Sequence, residues 1–123
     1  MKYIHTDNAP QAIGPYSQAT VVGNLVFTSG QIAINPENGN IEAQTIEEQT
    51  EQVCKNLTEV LKAAGTDITR VVKTVCFLSD MDNFAKFNDV YGKYFTGKPA
   101  RSCVAVKTLP KNVLVEVDVI AEI

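Results

Sequence analysis

RVVKTVCFLS, residues 70–79, decides the fold. Its run of β-branched and apolar residues marks a strand. Alternation along a strand puts Val71, Val75 and Phe77 on one face and Val72, Cys76 and Leu78 on the other. A strand apolar on both faces needs both faces covered. The flanking sequence offers only two helices, enough for one face of the sheet it predicts. The second face is therefore expected to meet another copy of the chain, and a closed symmetric oligomer is the economical solution.

Before this strand, Thr45 and Glu48 form a capping box, in which two reciprocal hydrogen bonds satisfy otherwise unpaired N–H groups. Ile46, Thr50, Val53, Leu57, Val60, Leu61 and Ala64 then fall on one helical face, with Glu47, Glu51, Lys55 and Lys62 pointing away. Gly65 supplies the stop. Upstream, Lys2–His5 reads as a short strand. Gln18–Val22 and Leu25–Ser29 read as a hairpin joined by Gly23-Asn24, and residues 35–44 as solvated turns. After the strand, Asp80 is placed to cap a second helix through about Phe95, with Phe84, Phe87, Val90, Tyr91 and Tyr94 on its apolar side. Two last strands, Arg101–Lys107 and Val113–Ile120, read as a hairpin turning at Pro110. The order β-β-β-α-β-α-β-β is an α+β sheet.

Composition narrows the function. A chain of 123 residues that is 45% hydrophobic and 20% charged has the size and balance of one folded domain, residues 1–123. A net charge of -3 and a pI near 5.1 argue against DNA binding and make RNA a poor partner. No apolar run approaches the ~18 residues of a membrane span. The opening MKYIHTDNAP lacks the apolar core of a signal peptide, so a cytoplasmic location is expected. Cys54, Cys76 and Cys103 are widely spaced without a CxxC pair, which fits neither a disulfide framework nor a zinc site. Cys54 and Cys76 read as buried thiols. His5, the only histidine, has no predicted partner for triad-type catalysis.

The densest cluster of chemistry lies in the last two strands. Arg101 and Cys103 share a strand face, as do Glu116 and Asp118. If Val104, Val106, Val117 and Val119 form the helix-covered face, then Arg101, Cys103 and Glu116 lie together on the far face, where the subunit contact is expected. A guanidinium grips a carboxylate through two parallel hydrogen bonds, and a nearby carboxylate can move a proton to or from water. The trio would suit a small α-carbon acid whose second carbon reacts with water. The alternative is a structural Arg101–Glu116 cross-strand ion pair, worth little if exposed. A second cluster is Gly14–Gln18 with Ser29, Gly30 and Gln31. There glycine permits close backbone approach, and Tyr16 and Ser29 carry hydroxyl donors; ordinary turn and strand-end roles remain open. No phosphate-loop glycine pattern occurs.

IGPYSQA (13–19), FTSGQI (27–32), FNDVYGKYF (87–95) and PARSCVAVKTLP…LVEVDVIA (99–121) closely resemble the reactive-intermediate deaminase family, also called RidA/YjgF. The resemblance runs from about His5 to the C-terminus. It implies a chorismate-mutase-like fold, a six-stranded mixed sheet with two helices on one face, and a homotrimer packed as a central barrel with its sites between subunits. For the archetypal branch it implies hydrolysis of short 2-imino or 2-enamino acids to 2-oxo acids and ammonia, with no metal or organic cofactor. Residue by residue, it gives Arg101 the substrate carboxylate and Glu116 the attacking water. It makes Cys103 a site-lining residue, Tyr16 the residue closing the pocket, and Ser29 and Gly30 strand-end neighbours of the substrate. Asn88 has a weaker claim through its helix motif. A non-enzymatic sensor of small carboxylates, a translation-inhibitor or ribonuclease activity, and a structural trimer with an unused cleft are the competing readings.

Overall fold

A computed structural model describes residues 1–123. The elements are β1 (Lys2–Ile4), β2 (Ala19–Val22), β3 (Leu25–Thr28), α1 (Ile46–Ala63), β4 (Val71–Leu78), α2 (Phe84–Tyr94), β5 (Ala100–Ala105) and β6 (Val115–Glu122). The Thr45–Glu48 capping box is formed. Gly65 follows the helix end at a φ of +91°, a conformation that lets the chain leave the helix without a Cβ clash. Asp80 caps a short 3-10 turn, Met81–Asn83, that leads into α2, not α2 itself. No helix is long and apolar enough to cross a membrane.

The six strands run in the order β1-β2-β3-β6-β4-β5. All neighbours are antiparallel except β4 and β5, which are parallel. Because β3 and β4 both run against β6, the crossovers β3-α1-β4 and β4-α2-β5 step the same way between parallel strands. Right-handed crossovers of that kind put both helices on one face. The core forms there: Val53, Leu57, Val60 and Leu61 of α1, Phe87 of α2 and Val115, Val117 and Val119 of β6 are each at most 1% exposed. Burying an aliphatic side chain this completely contributes roughly 1.5–3 kcal/mol.

Two features of this topology correct the sequence reading. Arg101–Lys107 and Val113–Ile120 do not pair as a hairpin, because β4 lies between β5 and β6. A register shift between Val71 and Lys73 also interrupts the β4–β6 ladder. The extra residue moves Val71 onto the helix side with Thr74, Cys76 and Leu78, and leaves Val72 exposed. The far face carries Lys73, Val75 and Phe77 of β4. It continues across the sheet through exposed Tyr3, Val22, Phe27 and Val104.

Candidate active site in two halves

The first half is a cleft of about 840 Å³ whose walls include Ile13, Tyr16, Ser29, Gly30, Gln31, Pro110, Lys111 and Glu116. It opens where β3 leaves the regular ladder. Phe27 pairs with Ile120 and Gln31 with Val117, which is four steps on one strand against three on the other. The Thr28 hydroxyl accepts the Val119 N–H at 3.0 Å in place of a backbone carbonyl. This bulge swings Ser29 and Gly30 out of the pairing with β6, while the Ser29 N–H still donates to the Gln18 carbonyl at 2.9 Å. The Ser29 hydroxyl donates to the Ser17 carbonyl at 2.5 Å, so it offers the cleft acceptor lone pairs, not the donor the sequence reading gave it. The Gly30 N–H makes no hydrogen bond within the chain.

Glu116 lies flush against this bulge. A Cβ on Gly30 would stand 2.7 Å from Glu116 Oε2, closer than real Cβ atoms come, so the backbone must be glycine for the carboxylate to rest there. The carboxylate has no ion-pair or hydrogen-bond partner in the chain. Burial pushes its pKa above the ordinary carboxylate range, and Asp118, two residues along the same face, pushes it further. Burial also raises Asp118 itself. The Tyr16 ring, 53% exposed, stands at the cleft wall beside Gly14.

Buried amides that the sequence reading passed over hold the loops near the cleft. Gln18 donates to the carbonyls of Thr6 and Pro10 and accepts the Thr6 N–H. Asn56 donates to the carbonyls of Ile32 and Ile34. Gln49 bridges the Ala43 carbonyl and the Leu114 N–H. Glutamine and asparagine within apolar periodicity were the available signal, since buried amides survive only when paired.

The second half is Arg101 on the edge strand β5. It pairs in register with Thr74, and Cys103 with Cys76; both partners face the helices. Arg101 and Cys103 therefore lie on the helix side, whereas Glu116, opposite Phe77, lies on the other. This overturns the expectation that one face of one chain holds the trio. Val104 is 48% exposed on the far face and is not helix-covered. The Arg101 guanidinium lies over the rings of Tyr91 at 4.8 Å and Phe84 at 5.4 Å, and its Nη1 donates to Asn88 Oδ1 at 2.7 Å. It has no carboxylate partner.

Cys103 is half-buried, and burial raises its thiol while Arg101 partly opposes the shift. Cys54 and Cys76 are buried, as read, and burial pushes Cys76 up to about 12. His5 does have a neighbour, Asp7 at 3.1 Å, but this is an exposed pair next in the chain to the first strand.

The family model described as Endoribonuclease L-PSP matches residues 6–123. The chain belongs to this family, the RidA/YjgF family. Among RidA relatives, AldR of Lactococcus lactis, a candidate regulator, is 52% identical, with 100% of this chain and 98% of AldR covered. Reactive Intermediate Deaminase A of Arabidopsis thaliana is 47% identical across 96% of this chain and 64% of the plant protein. The solved structure of Escherichia coli TdcF with bound serine superposes with a TM-score of 0.94 at 39% identity, covering 100% of this chain and 99% of TdcF. The family thus includes reactive intermediate deaminases alongside proteins described as regulators and endoribonucleases.

Proposed function

We propose that this RidA protein hydrolyses short 2-imino acids, with 2-iminobutanoate and 2-iminopropanoate as its substrate class, and that it does so at a site completed by a second copy of the chain. The observation that carries this reading is a pair of unspent charges: a half-buried guanidinium without a carboxylate and a half-buried carboxylate without a cation, on opposite faces of one sheet. Each is costly alone. A head-to-tail contact, closing as the homotrimer the family implies, would bring the Arg101 edge of one protomer to the Glu116 cleft of the next. The exposed apolar residues of the far sheet face favour such a contact.

In the proposed reaction Arg101 grips the substrate carboxylate through its free N–H groups, and an incoming enamine first takes a proton at carbon to become the iminium. Glu116 accepts a proton from water as the oxygen attacks the iminium carbon. The resulting carbinolamine receives that proton on nitrogen; as the C–N bond breaks, the hydroxyl gives its proton to Glu116 and becomes the carbonyl of the 2-oxo acid, and the departing ammonia takes that proton up as ammonium. A raised carboxyl pKa suits a group that must both take and return a proton. The free Gly30 N–H is a donor for the developing hydroxyl, and Tyr16 closes the mouth. Imine hydrolysis is intrinsically easy, so positioning and one acid–base group are enough. Cys103 lines the site and is not the nucleophile.

A coupled assay tests this. Threonine dehydratase releases the imine from threonine, and semicarbazide traps what survives. Adding the protein should sharply lower the trapped imine and speed formation of 2-oxobutanoate. Binding of 2-oxobutanoate with no change in imine lifetime would instead make it a carboxylate sensor. That second reading draws on the bound amino acid in the TdcF structure.

A further inference from the structure

The RidA reading makes Arg101 the carboxylate anchor, and the question left is what aims it. Phe84, Asn88 and Tyr91 recur at helical spacing along one face of α2. The geometry points to Tyr91, with Phe84, as a positioning residue: the two rings form a bed that sets the plane of the Arg101 guanidinium and leaves its outer N–H edge free for a ligand. This inference rests on the anchor reading above.

Tyr91 is itself held at both ends. Its hydroxyl is 2.8 Å from the Thr74 hydroxyl, and Thr74 is the residue paired with Arg101 in the β4–β5 register. Its ring stacks on Phe95 at 4.4 Å and meets Phe87 at 5.4 Å. The guanidinium therefore rests on a ring that cannot tilt without breaking a buried hydrogen bond and an aromatic stack. Asn88 takes one of the five guanidinium N–H groups and fixes rotation within the plane, and the others stay available. An arginine on an open edge strand would otherwise have to be ordered by each arriving ligand. The bed makes that ordering part of the fold.

The test compares Y91L and F84L with Y91F. In the free protein, the Arg101 side-chain ε N–H resonance should carry the ring-current shift of the bed. Y91L and F84L should move it toward the position of an unstructured arginine. They should raise the Kd for 2-oxobutanoate about five- to tenfold, the range expected when ordering a long side chain is charged to binding. KM should rise with kcat nearly unchanged. Y91F keeps the ring and its stack on Phe95 but loses the Thr74 hydrogen bond, so it should fall between wild type and Y91L in both measurements. Tyr91 is buried, so if Y91L does not fold, F84L at a half-buried ring decides alone. A folded F84L with an unmoved Arg101 resonance or an unchanged Kd overturns the proposal. If the wild type hydrolyses no imine, the deaminase reading fails, and the resonance still judges the bed on its own.

Discussion

Glu116 and Arg101 occupy contrasting settings. Glu116 belongs to β6, which is buried at the centre of the sheet, and its carboxylate rests on a backbone bulge inside a preformed cleft. Arg101 belongs to the edge strand β5 and rests on aromatic rings outside that cleft. One half has a cavity and an acid but no arginine. The other has a rigid cation and an open edge. The contrast teaches that a single protomer prepares both groups and satisfies neither, so assembly and activity are expected to be one property.

The largest effect should come from the acid. E116Q removes the proton acceptor and should lower kcat about 10²–10⁴-fold in the semicarbazide assay, the usual range for a general acid–base group. R101A should follow, with KM rising at least about a hundredfold, since a hydrogen bond to a charged group is worth about 1.5–3 kcal/mol and the lower end of that range, taken twice for a carboxylate grip, is already a factor of about a hundred. Normal circular dichroism in both variants would show that the loss is chemical. If E116Q acts only on KM and R101A only on kcat, the roles assigned to the two halves are reversed.

G30A tests the cleft half without touching a charge. The added methyl must displace the Glu116 carboxylate. A fall in kcat of about ten- to a hundredfold is expected, the scale of a 1 Å misplacement. Activity equal to wild type would mean that the carboxylate does not work where the bulge holds it.

The smallest effect concerns pH. The pKa of Glu116 is raised by burial and then by Asp118, so the acid limb of kcat/KM should lie above the ordinary carboxylate value of about 4.3. D118N removes the neighbouring charge and should move that limb to lower pH. Both carboxyls hold protons more tightly in the fold than in the unfolded chain. Stability should therefore be greatest at low pH within this pair's influence and decline as pH rises through their raised values. D118N should shallow that decline in thermal melts. An acid limb unmoved by D118N would separate Asp118 from the site.

Local features were readable from the chain. The capping box and the seven-residue apolar face of α1 depend on neighbours three and four residues apart, and both form as read. The site residues drew notice by their chemistry, and Tyr16, Ser29, Gly30 and Glu116 do line one cleft. What could not be read was which strand lies beside which. Two consecutive strands with a short turn look like a hairpin, and only the insertion of β6 between β3 and β4 removes that option. The face of Arg101 was misjudged for a related reason. On this edge strand the apolar Val104 points outward, while the charged Arg101 points inward onto rings, which inverts the usual pattern. The slip at Val71/Lys73 is a third case, because a bulge changes parity without changing composition.

Mixing the two impaired variants, assayed at substrate well below KM, tests the shared site most directly. Purified R101A and E116Q are combined in equal amounts, exchanged through mild denaturation and reassembled. If each site takes Arg101 from one protomer and Glu116 from its neighbour, about one quarter of the sites in a randomly mixed closed ring regain both groups. Imine hydrolysis should then rise to about that fraction of wild type. Activity that stays at the sum of the two variants' residual rates, despite demonstrated subunit exchange, would contradict a site shared between protomers.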